Sequence, residues 1–414
     1  MKRAAAMAAL LLAAITWALP ANADDCVVCH RKVTPNIVVD WELSAHSKNE
    51  VACADCHGDE HTSAADVAEV TTITANTCAD CHDVQFQQFS KGKHALAWAS
   101  YEAMPTTHAL PMALGAGMKG CGGCHKLGLK DAAKIATLKE QGSVFGHASC
   151  DACHTRHTFS VAEAREPQSC QTCHMGFDHP QWEMWSSSKH GVRYLLKQSG
   201  VLPATTPAPR CQDCHMTGGN HEVRAPWGFL AARLPLPEDE KWKADQVTIL
   251  QALGVLDPDG KPTARLDVVK AADVARLTAE AFTAEREKLV AVCGNCHSEN
   301  FARAELAKGD DAIREADRLL AQAIRVVAGL YKDGIIPKPA SYAYPFPDLL
   351  TFHDAATVVE QRLFEMHLKH RMRAFQGAFH ANPDYALWYG WSEMVRDLTD
   401  IQEEAAELRE RRSR

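Results

Sequence analysis

Residues 150–190 read CDACHTRHTFSVAEAREPQSCQTCHMGFDHPQWEMWSSSKH. Two Cys-x-x-Cys-His motifs stand in this stretch, Cys150/Cys153/His154 and Cys170/Cys173/His174. Thiols three residues apart can each add to one vinyl group of a haem, and the adjacent imidazole then reaches the iron. An iron held on one side by protein needs a second axial group. His157, His179 and His190 belong to no motif and lie close by. The pattern reads as covalently attached c-type haem.

Working outward, the motif occurs eight times. The other six are Cys26/Cys29/His30, Cys53/Cys56/His57, Cys78/Cys81/His82, Cys121/Cys124/His125, Cys211/Cys214/His215 and Cys293/Cys296/His297. The eight pairs use all 16 cysteines, leaving none for a disulfide or a nucleophile. Zinc half-sites share the Cys-x-x-Cys spacing. Histidine fills about one position in twenty, so a chance histidine after all eight pairs has odds on the order of 10⁻¹⁰. Zinc has no need of that residue, and eight covalently attached haems are the expectation.

The N-terminus fits export. Lys2 and Arg3 precede an apolar run from Ala4 to Leu19, and Ala21-Asn22-Ala23 offers small residues for cleavage, so 1–23 reads as a signal peptide to the periplasm. An uncleaved anchor is the alternative, although the run is short for a membrane span. Losing Lys2 and Arg3 takes the formal charge from −8 to −10. That balance disfavours nucleic acid and anionic membrane as partners, and it suits docking to a basic redox partner. No later stretch resembles a transmembrane helix, so no stable membrane insertion is expected.

The fold class read from the pattern is mainly α, with little sheet. Residues 24–231 form a haem-dense domain with seven motifs and only short helical stretches. Residues 232–414 form a helical domain with the eighth motif and long C-terminal helices. Helices are expected over Gln246 to Gly254, Arg265 to Val292, Asn300 to Lys332 and Phe352 to Phe379, with a last one from Tyr385 to the end. Ile313, Ala316, Leu320, Ile324, Val327 and Tyr331 recur at helical spacing. Leu398, Ile401, Ala405 and Leu408 step by three, four and three. This seam can be internal packing or hold copies of the subunit together, and the second reading is the one taken.

Of 21 histidines, eight are motif ligands. His46, His94 and His190 recur near Ser or Lys after an aromatic residue, His61 and His221 follow a motif closely, and His380 closes a helix. These six are the expected distal iron ligands. His147, His157 and His353 compete for the remaining places, and His367 and His370 read as solvated on a charged helix face.

A chain of fully ligated haems would only conduct electrons; chemistry needs an iron with an open position. The fourth motif stands apart. Gly115, Gly117, Gly120, Gly122, Gly123 and Gly128 surround it, so backbone could approach closely with few side chains crowding the ring.

The eight motifs, the stretch from Cys150 to His190, CQDCHMTGGNHEV at 211–223 and GAFHANPDYALWYGW at 377–391 together resemble the octahaem hydroxylamine oxidoreductase family. Related penta- and octahaem nitrite reductases commonly carry lysine in place of the motif histidine at the catalytic haem, whereas all eight motifs here end in histidine. The resemblance implies a five-coordinate catalytic haem on Cys121, Cys124 and His125, with Asp178 and His179 over its open face taking protons. The alternative is that Asp178 caps a helix starting at Pro180 and His179 is a further ligand. The resemblance also implies a homotrimer in which a tyrosine from a neighbouring subunit is bonded to the catalytic porphyrin. Tyr385 is the first choice, Tyr389 the second, with Tyr342 or Tyr344 behind; packing at helical spacing is the alternative. The implied activity is oxidation of hydroxylamine to nitric oxide or nitrite, with electrons leaving through seven bis-His haems to an acceptor c-type cytochrome. A reductive enzyme acting on nitrite or hydroxylamine and a non-catalytic electron carrier are the rival readings.

Overall fold

The computed structural model describes residues 23–111, 120–143, 146–228, 230–232, 236–272, 274 and 277–414. Residues 1–22 of the expected leader, and Gly115 and Gly117, lie outside the described residues. The fold is mainly α, as the pattern indicates. Among the described residues the β pairing is one isolated bridge, Leu256 with Pro262. No described helix is long and apolar enough to cross a membrane.

The motif itself explains why many helices are short. Residues i, i+3 and i+4 share one face of a helix, so a single turn aims both thiols and the imidazole the same way. Cys53–His57, Cys121–His125 and Cys211–His215 are such five-residue helices, and Cys150–Ala152 is a 3₁₀ turn.

By its internal contacts the chain falls into two compact units. The first comprises Met1–Ile73 with Arg156–Phe159. Its helices Ala23–Val33, Pro35–Leu43 and Ala45–Lys48 precede the second motif. Proline starts the second of these, where its missing N–H costs nothing. Ser44 starts the third by accepting the Ser47 N–H at 3.0 Å.

The second unit comprises Thr74–Thr155 and Ser160–Arg414. Its core is a bundle of α1 (Glu240–Ala252), α2 (Ala279–Cys293), α3 (Glu299–Lys332), α4 (Val358–Glu365), α5 (Met372–Phe379) and α6 (Ser392–Ser413). The stripe expected on α3 is the buried one, from Ile313 through Tyr331. α3 keeps its expected span, α1 begins at Glu240 ahead of the expected Gln246, and the other helices differ for local reasons. The stretch 265–292 is broken into Arg265–Ala271 and α2. α4 begins at Val358 because Thr357 and Glu360 form a capping box, each side chain accepting the other's backbone N–H. Phe352 sits earlier, in a 3₁₀ turn, and stacks on Phe364.

The seam of α6 faces this chain's own core. Ile401 and Ala405 are buried, and Leu398 and Leu408 pack in the same cluster as the α3 stripe. The contact between copies expected there is therefore corrected to internal packing. The reading of His367 and His370 is corrected too: both are buried. A π turn, Met366–Arg371, joins α4 to α5. One extra residue in the turn rotates every later side chain about the axis, so faces extrapolated at ordinary helical period come out wrong. His370 Nδ1 bonds Asp397 Oδ2 at 2.5 Å, while neither ring nitrogen of His367 has a partner.

Arg371 and Asp317 form the deepest ion pair, 1% and 0% exposed. Arg371 also donates to the carbonyls of Leu230 and Ala231, and Asp317 accepts from Trp242 Nε1 and Gln246 Nε2. Asp317→Ala would leave a buried guanidinium uncompensated and should lower unfolding free energy by about 3–5 kcal/mol, read as a lower urea midpoint. Asp317→Leu with Arg371→Met should recover most of that loss. Burial pushes His367 down to about 3. Below about pH 6.5 the unfolded chain takes up a proton that the folded chain refuses, so stability falls with pH through that window. His367→Leu should flatten this acid limb in urea midpoints measured from about pH 7 to pH 4.

Candidate functional site: paired imidazoles and the fourth motif

Six motif histidines each face a histidine from elsewhere in the chain. In the first unit, His30 faces His61 and His57 faces His157, with ring centres 6.1 Å apart in both. In the second unit the pairs are His174 with His94 at 6.1 Å, His154 with His221 at 6.3 Å, His297 with His190 at 6.2 Å and His215 with His380 at 6.5 Å. A transition metal bonds imidazole nitrogen at about 2 Å, and the ring centre lies about 1.15 Å behind it, so rings trans across one metal stand about 6.3 Å apart. The residues therefore fit a haem iron between each pair.

Several of these rings are also oriented for that task. Nδ1 bonds Thr34 Oγ1 at 2.7 Å in His30, Asp66 Oδ1 at 2.8 Å in His61, Gln181 Oε1 at 3.3 Å in His174 and the Gln376 carbonyl at 2.8 Å in His380. An anchored Nδ1 fixes the tautomer and presents Nε2. Burial pushes His215 down to about 4 and His174 to about 3, which favours the neutral imidazole that a metal requires.

Other histidines make further contacts. His46 meets Phe159 edge-on at 5.1 Å, and His82 precedes the helix Asp83–Lys91. His147 uses Nε2 on the Ser143 carbonyl at 2.8 Å. His353 bonds Thr106 Oγ1 through Nδ1 at 3.2 Å. Of the three competitors, only His157 faces a motif ring. Its signal in the sequence is position, three residues past His154, and not composition.

His125 is set apart from the six paired motif histidines. Its Nδ1 donates to the Ala97 carbonyl at 3.0 Å, which presents Nε2 as in the others. Among the described residues its ring contact is Tyr101, 5.9 Å away, and not a second imidazole. Gly128 serves close packing here, since a Cβ on it would collide with the Trp98 backbone. Burial is the main cause holding His125 low, and His179 and Asp178 also act on its charge.

Asp178 Oδ1 accepts from His179 Nδ1 at 2.6 Å, and both side chains are 26% exposed. Asp178 is not a helix cap. Pro180 stands at the N-cap of Gln181–Ser186, without a side-chain cap bond. The Asp178–His179 loop is tied to α5 through Gln376, which accepts from Gln181 Nε2 at 3.0 Å and donates to the Asp178 carbonyl at 3.4 Å. His179 also stands 6.3 Å from His174, edge to face, so His174 has two imidazole neighbours.

Tyr385 is half-buried, its ring 5.0 Å from Tyr389, which is 52% exposed beside the exposed Trp388 and Leu387. Asn382 holds this corner, accepting the Tyr385 N–H and donating to the Met184 carbonyl and Ser187 Oγ. Tyr342 is buried in the core with its hydroxyl on the Thr351 carbonyl, so it is withdrawn from the choices for a link to another subunit. Tyr344 stacks on Phe346.

Thiols of different motifs also meet. Cys78 faces Cys150, Cys124 faces Cys173, and Cys170 faces Cys211, each within hydrogen-bonding reach. Among the thiols expected to hold haem, Cys29, Cys81, Cys121, Cys124 and Cys296 are exposed and the others, Cys56 included, half-buried; none is in a disulfide. In the first, third and eighth motifs the second thiol is thus less covered than its half-buried companion, Cys26, Cys78 or Cys293. Cysteine is ordinarily among the most buried residues, so burial by polypeptide is not what marks Cys29, Cys56, Cys81 and Cys296 as attachment points. Their motif is, and a porphyrin bonded there would cover the open sulfur. Among the described residues no three His, Cys, Asp or Glu side chains converge as a zinc site would need.

The comparisons agree with this geometry. A family model described as seven times multi-haem cytochrome CxxCH matches residues 48–225 and 265–341. This chain belongs to the multi-haem CxxCH cytochromes. The cytochrome is 27% identical to a probable nitrite reductase–hydroxylamine oxidoreductase fusion protein of Kuenenia stuttgartiensis. That match takes in 94% of this chain but 52% of the relative, so the chain spans about half its length. Among solved structures it resembles the reducing HAO-like protein complex of Kuenenia stuttgartiensis, with TM-score 0.67 and 25% identity over 94% of this chain and 86% of that one. It also resembles a hypothetical multiheme protein, with TM-score 0.66 and 19% identity over 95% and 96% of the two chains.

The two neighbours of His174 can be told apart. His94→Ala should convert one low-spin haem to a form that binds carbon monoxide when reduced, whereas His179→Ala should add no such haem. Carbon monoxide difference spectra of the reduced variants measure this.

Proposed function

We propose that this cytochrome is a periplasmic redox enzyme with eight attached haems, turning over a small nitrogen substrate at the fourth. The favoured reaction oxidises hydroxylamine to nitric oxide or nitrite. The observation that carries the reading is the environment of His125: its ring faces a tyrosine while an Asp–His pair stands beside it. Each paired motif would hold a six-coordinate haem through two imidazoles, and His46 would supply a further distal ligand.

A haem with an open side supplies an electron sink and a Lewis-acid site for the substrate nitrogen. The chain's own contribution is proton handling. Three protons leave with the three electrons on the way to nitric oxide, nitrite requires a water as well and releases five protons with four electrons, and His179 Nε2 is the atom that would receive a proton. The Asp178 carboxylate, bonded to Nδ1, fixes the tautomer and stabilises the resulting imidazolium. Gln181 and Gln376 keep the loop in place. Thiols of the fourth and sixth motifs touch, as do those of the sixth and seventh, so haems held there would lie close together and could pass electrons on toward an acceptor c-type cytochrome.

Direction is tied to Tyr385. In a homotrimer its ring would reach the catalytic porphyrin of a neighbouring subunit, and the exposed aromatic residues around it suit such a contact. The rival reading is reduction of nitrite or hydroxylamine; one of the resembling structures is described as a reducing HAO-like complex.

Asp178→Asn should keep the loop but lower hydroxylamine-dependent dye reduction by about 10²–10⁴-fold, with haem content unchanged by pyridine haemochrome assay. Peptide mapping with intact mass should find the haem peptide of Cys121–Cys124 bridged to Tyr385. A protein lacking that bridge and consuming nitrite from reduced dye would establish the reductive reading instead.

A further inference from the structure

Beside the fourth motif, on residues the proposed reaction does not use, several buried polar atoms have no partner among the described residues. They are the hydroxyls of Ser143 and Ser149, Nδ1 of His147 and Nε1 of Trp98. Ser143, His147 and Ser149 are 8%, 5% and 3% exposed. An unpaired buried polar group costs about 1–3 kcal/mol, so several in one neighbourhood call for an explanation.

Two cations share that neighbourhood. Lys126, directly after His125, is buried, and a Cβ on Gly146 would stand 3.3 Å from its Cδ. Lys130 lies over the Trp98 ring at 5.2 Å, and its Nζ donates to the carbonyls of Lys126 and Gly128. Burial first, and Lys126 second, push Lys130 down to about 8, while Asp151 and Glu102 pull the other way. Both lysines, with Lys139, act on His147. Since His147 Nε2–H donates to the Ser143 carbonyl, its Nδ1 lone pair needs a proton delivered with the ligand. Hydroxyl and indole donors, two ammonium groups and one proton-seeking nitrogen together describe a site for a protonatable oxyanion.

We infer that Ser143, Ser149 and Trp98, with Lys126, Lys130 and His147, form a buried cradle for a carboxylate or small oxyanion. The occupant has two possible sources: a propionate of a haem attached at a neighbouring motif, or a free inorganic anion. The inference concerns anion binding and leaves the direction and substrate of the proposed reaction aside.

The test uses the full haem-loaded protein and the double variant Ser143→Ala/Ser149→Ala. With a propionate in the cradle, losing its donors leaves more negative charge near one iron, so one haem should shift to lower potential in a spectroelectrochemical titration. A tenfold change in that equilibrium corresponds to about 59 mV. With a free anion as occupant, calorimetric titration with inorganic phosphate should show binding to the unmodified protein, weakened at least tenfold in the variant. Either result supports the cradle and names its source. Unchanged potentials together with unchanged or absent phosphate binding would overturn it. Ser143→Thr keeps the hydroxyl and should behave as the unmodified protein. If the double variant loses haem, Ser143→Ala alone must show the same change in direction, and its absence would overturn the inference equally. Neither readout depends on turnover, so failure here is distinct from failure of the proposed reaction.

Discussion

A pair of imidazoles about 6.3 Å apart, several with Nδ1 anchored so that Nε2 is offered, is the constraint on which this chain is built. It explains the short helices, because a motif needs one turn to aim its thiols and ring. It explains why histidines far apart in sequence converge, such as His215 with His380 and His190 with His297. At His174 and His215 it explains the burial too, since rings shielded from water keep the neutral form that binds iron. In such a protein the porphyrins stand in for much of an ordinary core, and the polypeptide's task is to deliver side chains in pairs.

The C-terminal bundle supplies what the motif-rich segments lack, a conventional apolar interior. It is also connected to the site. Asp317 and Arg371 fix α1, α3 and the start of α5 to one another. A few residues on, Gln376 holds the loop carrying Asp178 and His179, and His380 faces the seventh motif histidine. Helix packing is thus transmitted directly to the residues of the proposed site. The π turn at Met366–Arg371 sets the register of α5 and so takes part in that alignment.

Much of this was legible in the sequence because the chemistry is local. Eight motifs with every cysteine used, the α3 stripe and the histidines beside aromatic residues all announce themselves in short windows. The facing of His61, His94, His190, His221 and His380 with motif rings follows the positions singled out on that basis. The illegible part depends on distant packing or on broken periodicity. Nothing near Leu398 or Ile401 says that α3 of the same chain covers them. The extra residue of the π turn hides His367 and His370 from a helical wheel. His157 and His147 flank the same motif in similar company, and only the fold shows that the first meets His57 while the second spends Nε2 on a carbonyl.

The central claim is that one iron stands apart while the rest are held between paired side chains. Near-infrared magnetic circular dichroism of the oxidised protein tests it most directly, because each axial ligand pair has its own charge-transfer energy. The account predicts bis-imidazole bands from every haem but one, with that one high-spin and responsive to added hydroxylamine. Bis-imidazole signals from all haems, or several high-spin irons at once, would contradict it.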